Sequence, residues 1–293
     1  MIRPWLRSLA VVSCCVFLLL FTWKAARAAP VVFVSIPPQA ALVEAIGGPE
    51  VTVGVLLAAG RDPHQFSPTP RQVQDLLAAD CYLTVDLAFE RRLRERLAGL
   101  SPTLRLVDMA AGVPRLATNH DQEHGVEHGH DADPHLWLGF DQLSRMAENV
   151  AVVLSECDPA GRSRYEAGLA DFQARLAVVR RQTMTLLKPY QGETIFVFHP
   201  GFGYLAANFQ LQQRAVQVEG KNPSPRQLRE FIGLAREAGI RVLFVQPQFD
   251  PRSAQVIAEA TGARVVAIDP LAHDVLTNIV SMAEQLAAGF AAR

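Results

Sequence analysis

Three histidines and one aspartate stand where predicted strands end: His64, His135, His199 and Asp269. Their contexts are Gly60-Arg-Asp-Pro-His64, Asp133-Pro-His135-Leu-Trp137, Phe196-Val-Phe-His199-Pro-Gly201 and Ala267-Ile-Asp269-Pro-Leu271. Three imidazoles and a carboxylate suit a borderline-soft divalent ion such as zinc. Singly, each has an ordinary explanation. A histidine beside a proline packs in a loop, and Asp269 before Pro270 caps a turn. All four at loop positions, two from each half of the chain, point instead to one metal held in a cleft between halves.

A second cluster supports metal handling. Of eight histidines, five fall within sixteen residues: His120, His124, His128, His130 and His135. The first four lie among Asp and Glu in residues 119–131, with no apolar periodicity. That composition predicts a solvated surface loop. Its histidine spacing offers no fixed geometry, so the four read as an auxiliary loop that captures metal loosely or binds a second ion.

Signatures of catalysis are missing. There is no His-Glu-x-x-His, no Gly-x-Ser-x-Gly and no phosphate loop. Gly201-Phe-Gly203 is too short for a dinucleotide fingerprint. No catalytic residue is assigned, and the expectation is a protein that is not an enzyme. One alternative stays open. If Asp269 were not a ligand, a three-histidine site would keep a position for water, as a secreted zinc-dependent hydrolase needs.

The elements that must position these residues alternate. Strands are predicted at 31–35, 51–57, 81–85 and 104–107, then at 194–198, 215–218, 242–245 and 265–268. Helices fall between them: 38–46, 69–79, 88–97 and 140–154 in the first half, and 204–209, 225–238, 253–261 and 274–290 in the second. Thr69 and Ser224 read as N-caps, each followed by a proline at the first helical position. Such alternation implies parallel sheets of right-handed βαβ units, about four strands in each half. Ligands then bind beyond the carboxyl ends of the strands. Between the halves, residues 159–187 carry Tyr165, Leu169, Phe172, Leu176 and Val179 at steps of four and three. That is one stripe of a long helix, either a core helix of one domain or a rigid connector.

Composition bounds the setting. The 293 residues are 49% hydrophobic and 19% charged, enough for one large or two medium domains. Residues 1–28 have a basic start (Arg3, Arg7), an apolar stretch and an Ala26-Arg-Ala28 end. This is the pattern of a secretory signal peptide cleaved after Ala28, and a spanning anchor fits the short apolar run less well. Val11-Val-Ser-Cys14 loosely resembles a lipoprotein acylation site, but most of the apolar run follows Cys14. Losing Arg3, Arg7, Lys24 and Arg27 leaves 24 Lys+Arg against 29 Asp+Glu, a net −5. That argues against nucleic acid and anionic membrane as partners. Cys81 and Cys157 remain, either paired in an oxidising compartment or with Cys81 a buried thiol.

Six motifs carry a family resemblance: Gly60-Arg-Asp-Pro-His-Gln-Phe-Ser-Pro-Thr-Pro70, Asp133-Pro-His-Leu-Trp-Leu138, Phe198-His-Pro-Gly-Phe-Gly-Tyr204, Gly220-Lys-Asn-Pro-Ser-Pro225, Phe244-Val-Gln-Pro-Gln248 and Ile268-Asp-Pro-Leu271. In these the chain resembles the zinc/manganese substrate-binding proteins of ABC importers, over nearly all of residues 29–293. The resemblance implies two α/β lobes, each a roughly four-stranded, mostly parallel sheet flanked by helices, joined by one long rigid interlobe helix. It divides the chain into signal peptide (1–28), N-terminal lobe (29–156), interlobe helix (157–189) and C-terminal lobe (190–293). It implies His64, His135, His199 and Asp269 as metal ligands, a periplasmic monomer, and delivery of the ion to a membrane permease. Family members with an acidic residue at the third histidine tend to take manganese. His199 therefore implies a Zn²⁺ receptor, with a Mn²⁺ receptor as the alternative. Some zinc receptors carry a disulfide in the C-terminal lobe; with no cysteine after Cys157, this chain lacks it.

Overall fold

The computed structural model describes residues 29–97, 99–116, 132–217, 223–249 and 251–292. Residues 1–28, read above as a signal peptide, and the loop histidines His120, His124, His128 and His130 lie outside the described residues.

The first half builds strands β1 (Val31–Val34), β2 (Thr52–Val55), β3 (Cys81–Thr84) and β4 (Arg105–Asp108). Helices α1 (Pro37–Gly47), α2 (Pro70–Leu77), α3 (Ala88–Leu97) and α4 (Phe140–Cys157) accompany them. The second half builds β5 (Thr194–Val197), β6 (Gln212–Ala215), β7 (Val242–Val245) and β8 (Arg264–Ala267). Its helices are α6 (Gly203–Phe209), α7 (Pro225–Glu237), α8 (Pro251–Thr261) and α9 (Val275–Ala291). Between the halves runs α5 (Arg162–Leu187). The two sheets share one topology, β2-β1-β3-β4 and β6-β5-β7-β8, and every pairing is parallel.

Burial follows strand position. The inner strands β3 and β7 are buried throughout, because helices cover both faces. In β5, Ile195 and Val197 join the large core while Phe196 and Phe198 join a second one with Phe231, Leu243 and Ile257. This is the period-two alternation of a strand. The outer strand β6 reads Gln-Gln-Arg-Ala, alternately exposed and half-buried. It starts three residues before the predicted 215–218. An edge strand has one unpaired side and one solvated face, so its polar residues hide it from a hydrophobicity reading. Pairing does continue past Ala215, through Val216 N–H to Val197 O (3.1 Å) and Gln217 N–H to Phe198 O (2.9 Å).

Both predicted caps form. Thr69 Oγ1 accepts the Gln72 N–H and Ser224 Oγ accepts the Gln227 N–H, each glutamine bonding back to its cap. Among the described residues no helix is long and apolar enough to cross a membrane.

Helix α5 packs on α1 and α4 of the first half and on α9 of the second. Tyr165, Phe172, Leu176 and Leu187 face inward, and the large core runs unbroken from Val32 and Leu83 to Val197 and Ile279. The connector is therefore a shared structural member. Its crossing with α1 is close at Gly168, where a Cβ would press into the Ile46 carbonyl oxygen and lie 2.9 Å from the Ile46 Cα. Gly→Ala inside a helix ordinarily stabilises by about 1 kcal/mol. Here the backbone clash wins: Gly168→Ala should destabilise by roughly 1–3 kcal/mol, checked by urea unfolding.

Cys81, at the start of β3, and Cys157, at the end of α4, are joined in a disulfide. The buried-thiol alternative for Cys81 is set aside.

Candidate metal centre

The carboxyl edge of the second sheet supplies most of the site. His199 follows β5, Gln217 follows β6, Gln246 and Gln248 follow β7, and Asp269 follows β8. His64 comes from the loop between β2 and α2. There Asp62 Oδ1 accepts its backbone N–H at 2.8 Å, and Phe66 packs edge-on to Phe89 of α3 at 4.9 Å.

His135 is placed unexpectedly. It belongs to the first half by sequence, yet its segment is mounted on the second. Tyr204 Oη donates to the Asp133 carbonyl (2.9 Å), Asn208 Nδ2 to the Leu138 carbonyl (2.9 Å), and Trp137 Nε1 to the Pro270 carbonyl (2.7 Å). Tyr204 also accepts the Leu116 N–H at 3.0 Å. Burial pushes its phenol up to about 12, so it stays a donor at any working pH. These contacts make Tyr204 a clamp on the chain that enters His135.

The three imidazoles converge tip to tip. His64 Nε2 lies 3.2 Å from His199 Nε2, and His199 Nε2 lies 3.4 Å from His135 Nε2. In His135 and His199 the distal nitrogen is free because its ring partner is engaged. His135 Nδ1 faces Asp133 Oδ1 at 2.7 Å, and a carboxylate only accepts, so the proton sits on Nδ1. His199 Nδ1 faces Gln217 Oε1 at 3.0 Å, which assigns the same tautomer. These Nε2 lone pairs then point at each other, and a cation between them turns repulsion into attraction. Two nitrogens on a tetrahedral zinc at ~2.0–2.1 Å stand about 3.3–3.4 Å apart, close to both distances found. Outer-shell partners of this kind fix ligand tautomers.

Neighbours leave little slack. Gln246 accepts the His199 N–H with Oε1 and donates to its carbonyl with Nε2. A Cβ on Gly201 would come within 3.2–3.3 Å of both His135 and His199, and one on Gly203 within 2.6 Å of Asp133 Oδ2. The two glycines let backbone approach the imidazoles and Asp133.

Asp269 stands at the predicted place but bonds to none of the histidines. Its Oδ1 accepts from Gln248 Nε2 (2.6 Å) and from the Leu271 N–H (2.9 Å). Among the described residues no group of three or more His, Cys, Asp or Glu is arranged to hold a metal ion. The nitrogens meet instead in two pairs that share His199.

Burial holds the His199 imidazole well below its ordinary 6.5, and the nearby His135 and His64 add to this against the Gln217 bond. The His64 tip, turned inward from an exposed residue, is lowered by burial too, opposed by Asp62. Both are neutral at pH 7, so metal binding displaces no proton from either. Protonation of His199 and His64 should therefore cost metal affinity only below about pH 6.5. The metal-free fold should also lose stability below pH 6.5, where the unfolded chain binds protons that folded His199 does not. Titration calorimetry in buffers of different ionisation heat checks the first point: two protons released at pH 7 would contradict it.

Comparison with known proteins decides the family. The model of ZnuA, the periplasmic component A of a zinc-uptake complex, matches residues 32–290. The chain belongs to the ZnuA family. A crystal structure of ZnuA superposes with a TM-score of 0.82 at 35% identity, covering 89% of this chain and 99% of that one. The high-affinity zinc uptake system protein ZnuA of Yersinia pestis is 27% identical over 94% of this chain and 92% of its own. A Mn-bound mutant of a periplasmic metal-binding protein from Candidatus Liberibacter asiaticus shares the fold, with a TM-score of 0.75, 19% identity and coverage of 88% and 98%. The ZnuA family comprises metal-binding transport components and not enzymes, and the two-lobed architecture expected from the motifs is the ZnuA fold.

Proposed function

We propose that this protein is a periplasmic receptor that binds Zn²⁺ with His64, His135, His199 and Asp269 and delivers it to the permease of an ABC importer. The observation that carries the reading is the tip-to-tip meeting of three imidazoles at 3.2 and 3.4 Å, two of them with Nδ1 engaged. The pairwise distances carry it, not a completed cage. Imidazole nitrogens favour zinc, whereas manganese prefers oxygen ligands. A hydrolase needs an open metal position and a general base; the match to a family of transport components supports capture without chemistry. In the same reading residues 1–28 are a removed signal peptide and the protein works as a monomer. Histidines 120, 124, 128 and 130 gather metal for the cleft.

The test is native mass spectrometry after loading with equal zinc and manganese, on the chain from residue 29 and on a deletion of residues 119–131. One retained zinc in both supports a cleft receptor with an accessory loop. Retained manganese makes it a manganese receptor. Metal lost with the loop moves the site out of the cleft.

A further inference from the structure

Gln248 has a buried amide with an unexplained end. Its Nε2 donates to Asp269 Oδ1 at 2.6 Å, while its Oε1 is buried with no hydrogen-bond partner. The orientation follows from charge, since the reversed amide would set oxygen against the carboxylate. The Leu271 N–H saturates the same Oδ1, and Oδ2 accepts no hydrogen bond from the described residues. The backbone here is pinned: Asn278 Nδ2 bonds the Asp269 carbonyl (2.7 Å) and Trp137 the Pro270 carbonyl. Asp269 thus presents one occupied and one open oxygen, and Gln248 leaves a carbonyl bare to keep it so.

We propose that Gln248 is a positioning residue that sets the coordination number of the site. By occupying Oδ1 it restricts Asp269 to one bond, through Oδ2, and so closes the site at four ligands with the three histidines. This rests on the zinc-receptor reading above. Four-coordination suits zinc, which has no geometric preference of its own. Manganese favours octahedral oxygen surroundings and would gain from a two-oxygen carboxylate. Gln248 therefore discriminates against manganese without touching the ion.

The experiment loads Co²⁺ into the wild-type chain, Gln248→Leu and Gln248→Met, and measures Zn²⁺ and Mn²⁺ affinities of each. Four-coordinate Co²⁺ absorbs strongly in the visible range; five- or six-coordinate Co²⁺ absorbs weakly. The wild type should show the strong band. Each variant should lose most of it and shift the affinity ratio toward manganese by about tenfold. An unchanged spectrum and ratio in a folded variant overturn the proposal. So does an equal loss of both metals, which marks a merely structural residue. Asp269→Ala separates the two layers. Undiminished zinc binding in it removes the carboxylate and this proposal, while the three-histidine receptor stands. Undiminished zinc binding in His199→Ala removes the receptor reading itself.

Discussion

Replacing His199 with alanine should weaken zinc binding by two to three orders of magnitude. A closed four-ligand zinc site is worth about 10–16 kcal/mol, so one ligand carries roughly 3–4 kcal/mol. At about 1.4 kcal/mol per factor of ten, that is roughly a 100- to 1,000-fold loss. His199 is also the shared member of both imidazole pairs, so its removal separates His64 from His135. Competition with a chelator of known affinity measures the loss. Folding should survive, because His199 sits at the end of a strand whose core residues are untouched. A folded variant with wild-type affinity would falsify the assignment.

The second large effect is on stability. The Cys81–Cys157 bond closes a loop of 76 residues between the first sheet and the end of α4. Loop-closure entropy of that length is worth about 4 kcal/mol in the unfolded chain. A Cys81→Ala/Cys157→Ala variant should lose about that much in urea unfolding, and a reductant should act likewise on the wild type. Zinc affinity should be nearly unchanged, because neither cysteine contacts the imidazole cluster. A midpoint insensitive to reductant would mean that the bond does not constrain the chain in solution.

Much of this was legible in order along the chain. Capping boxes at Thr69 and Ser224, the apolar inner strands and the stripe of α5 are local patterns, and each stands where its local physics puts it. Of the four residues singled out in the sequence, the fold brings the tips of His64, His135 and His199 together, near strand ends where such folds bind ligands, and leaves Asp269 bonded to Gln248 and Leu271. Four things were hidden. Strand β6 is polar because it lies at an edge. Gln217, Gln246 and Gln248 are ordinary residues until the fold brings their amides to His199 and Asp269. The disulfide depended on a distance between residues far apart in sequence, for which composition has no signal. Tyr204 and Asp133 lay inside recognised motifs, but their clamp joins segments 71 residues apart.

The mounting of the His135 segment on the second lobe has a mechanical consequence. His199 and Asp269 belong to that lobe, and Tyr204, Asn208 and Trp137 tie His135 to it as well. Of the four, His64 alone rides on a first-lobe loop. For a receptor that holds its ion with these four groups, unloading is then asymmetric. Peeling back one short loop exposes the ion to a waiting acceptor, while three ligands stay still on the opposite wall. In such a receptor the dwell time of the cargo would follow the anchorage of that loop, through Asp62 and the Phe66–Phe89 contact.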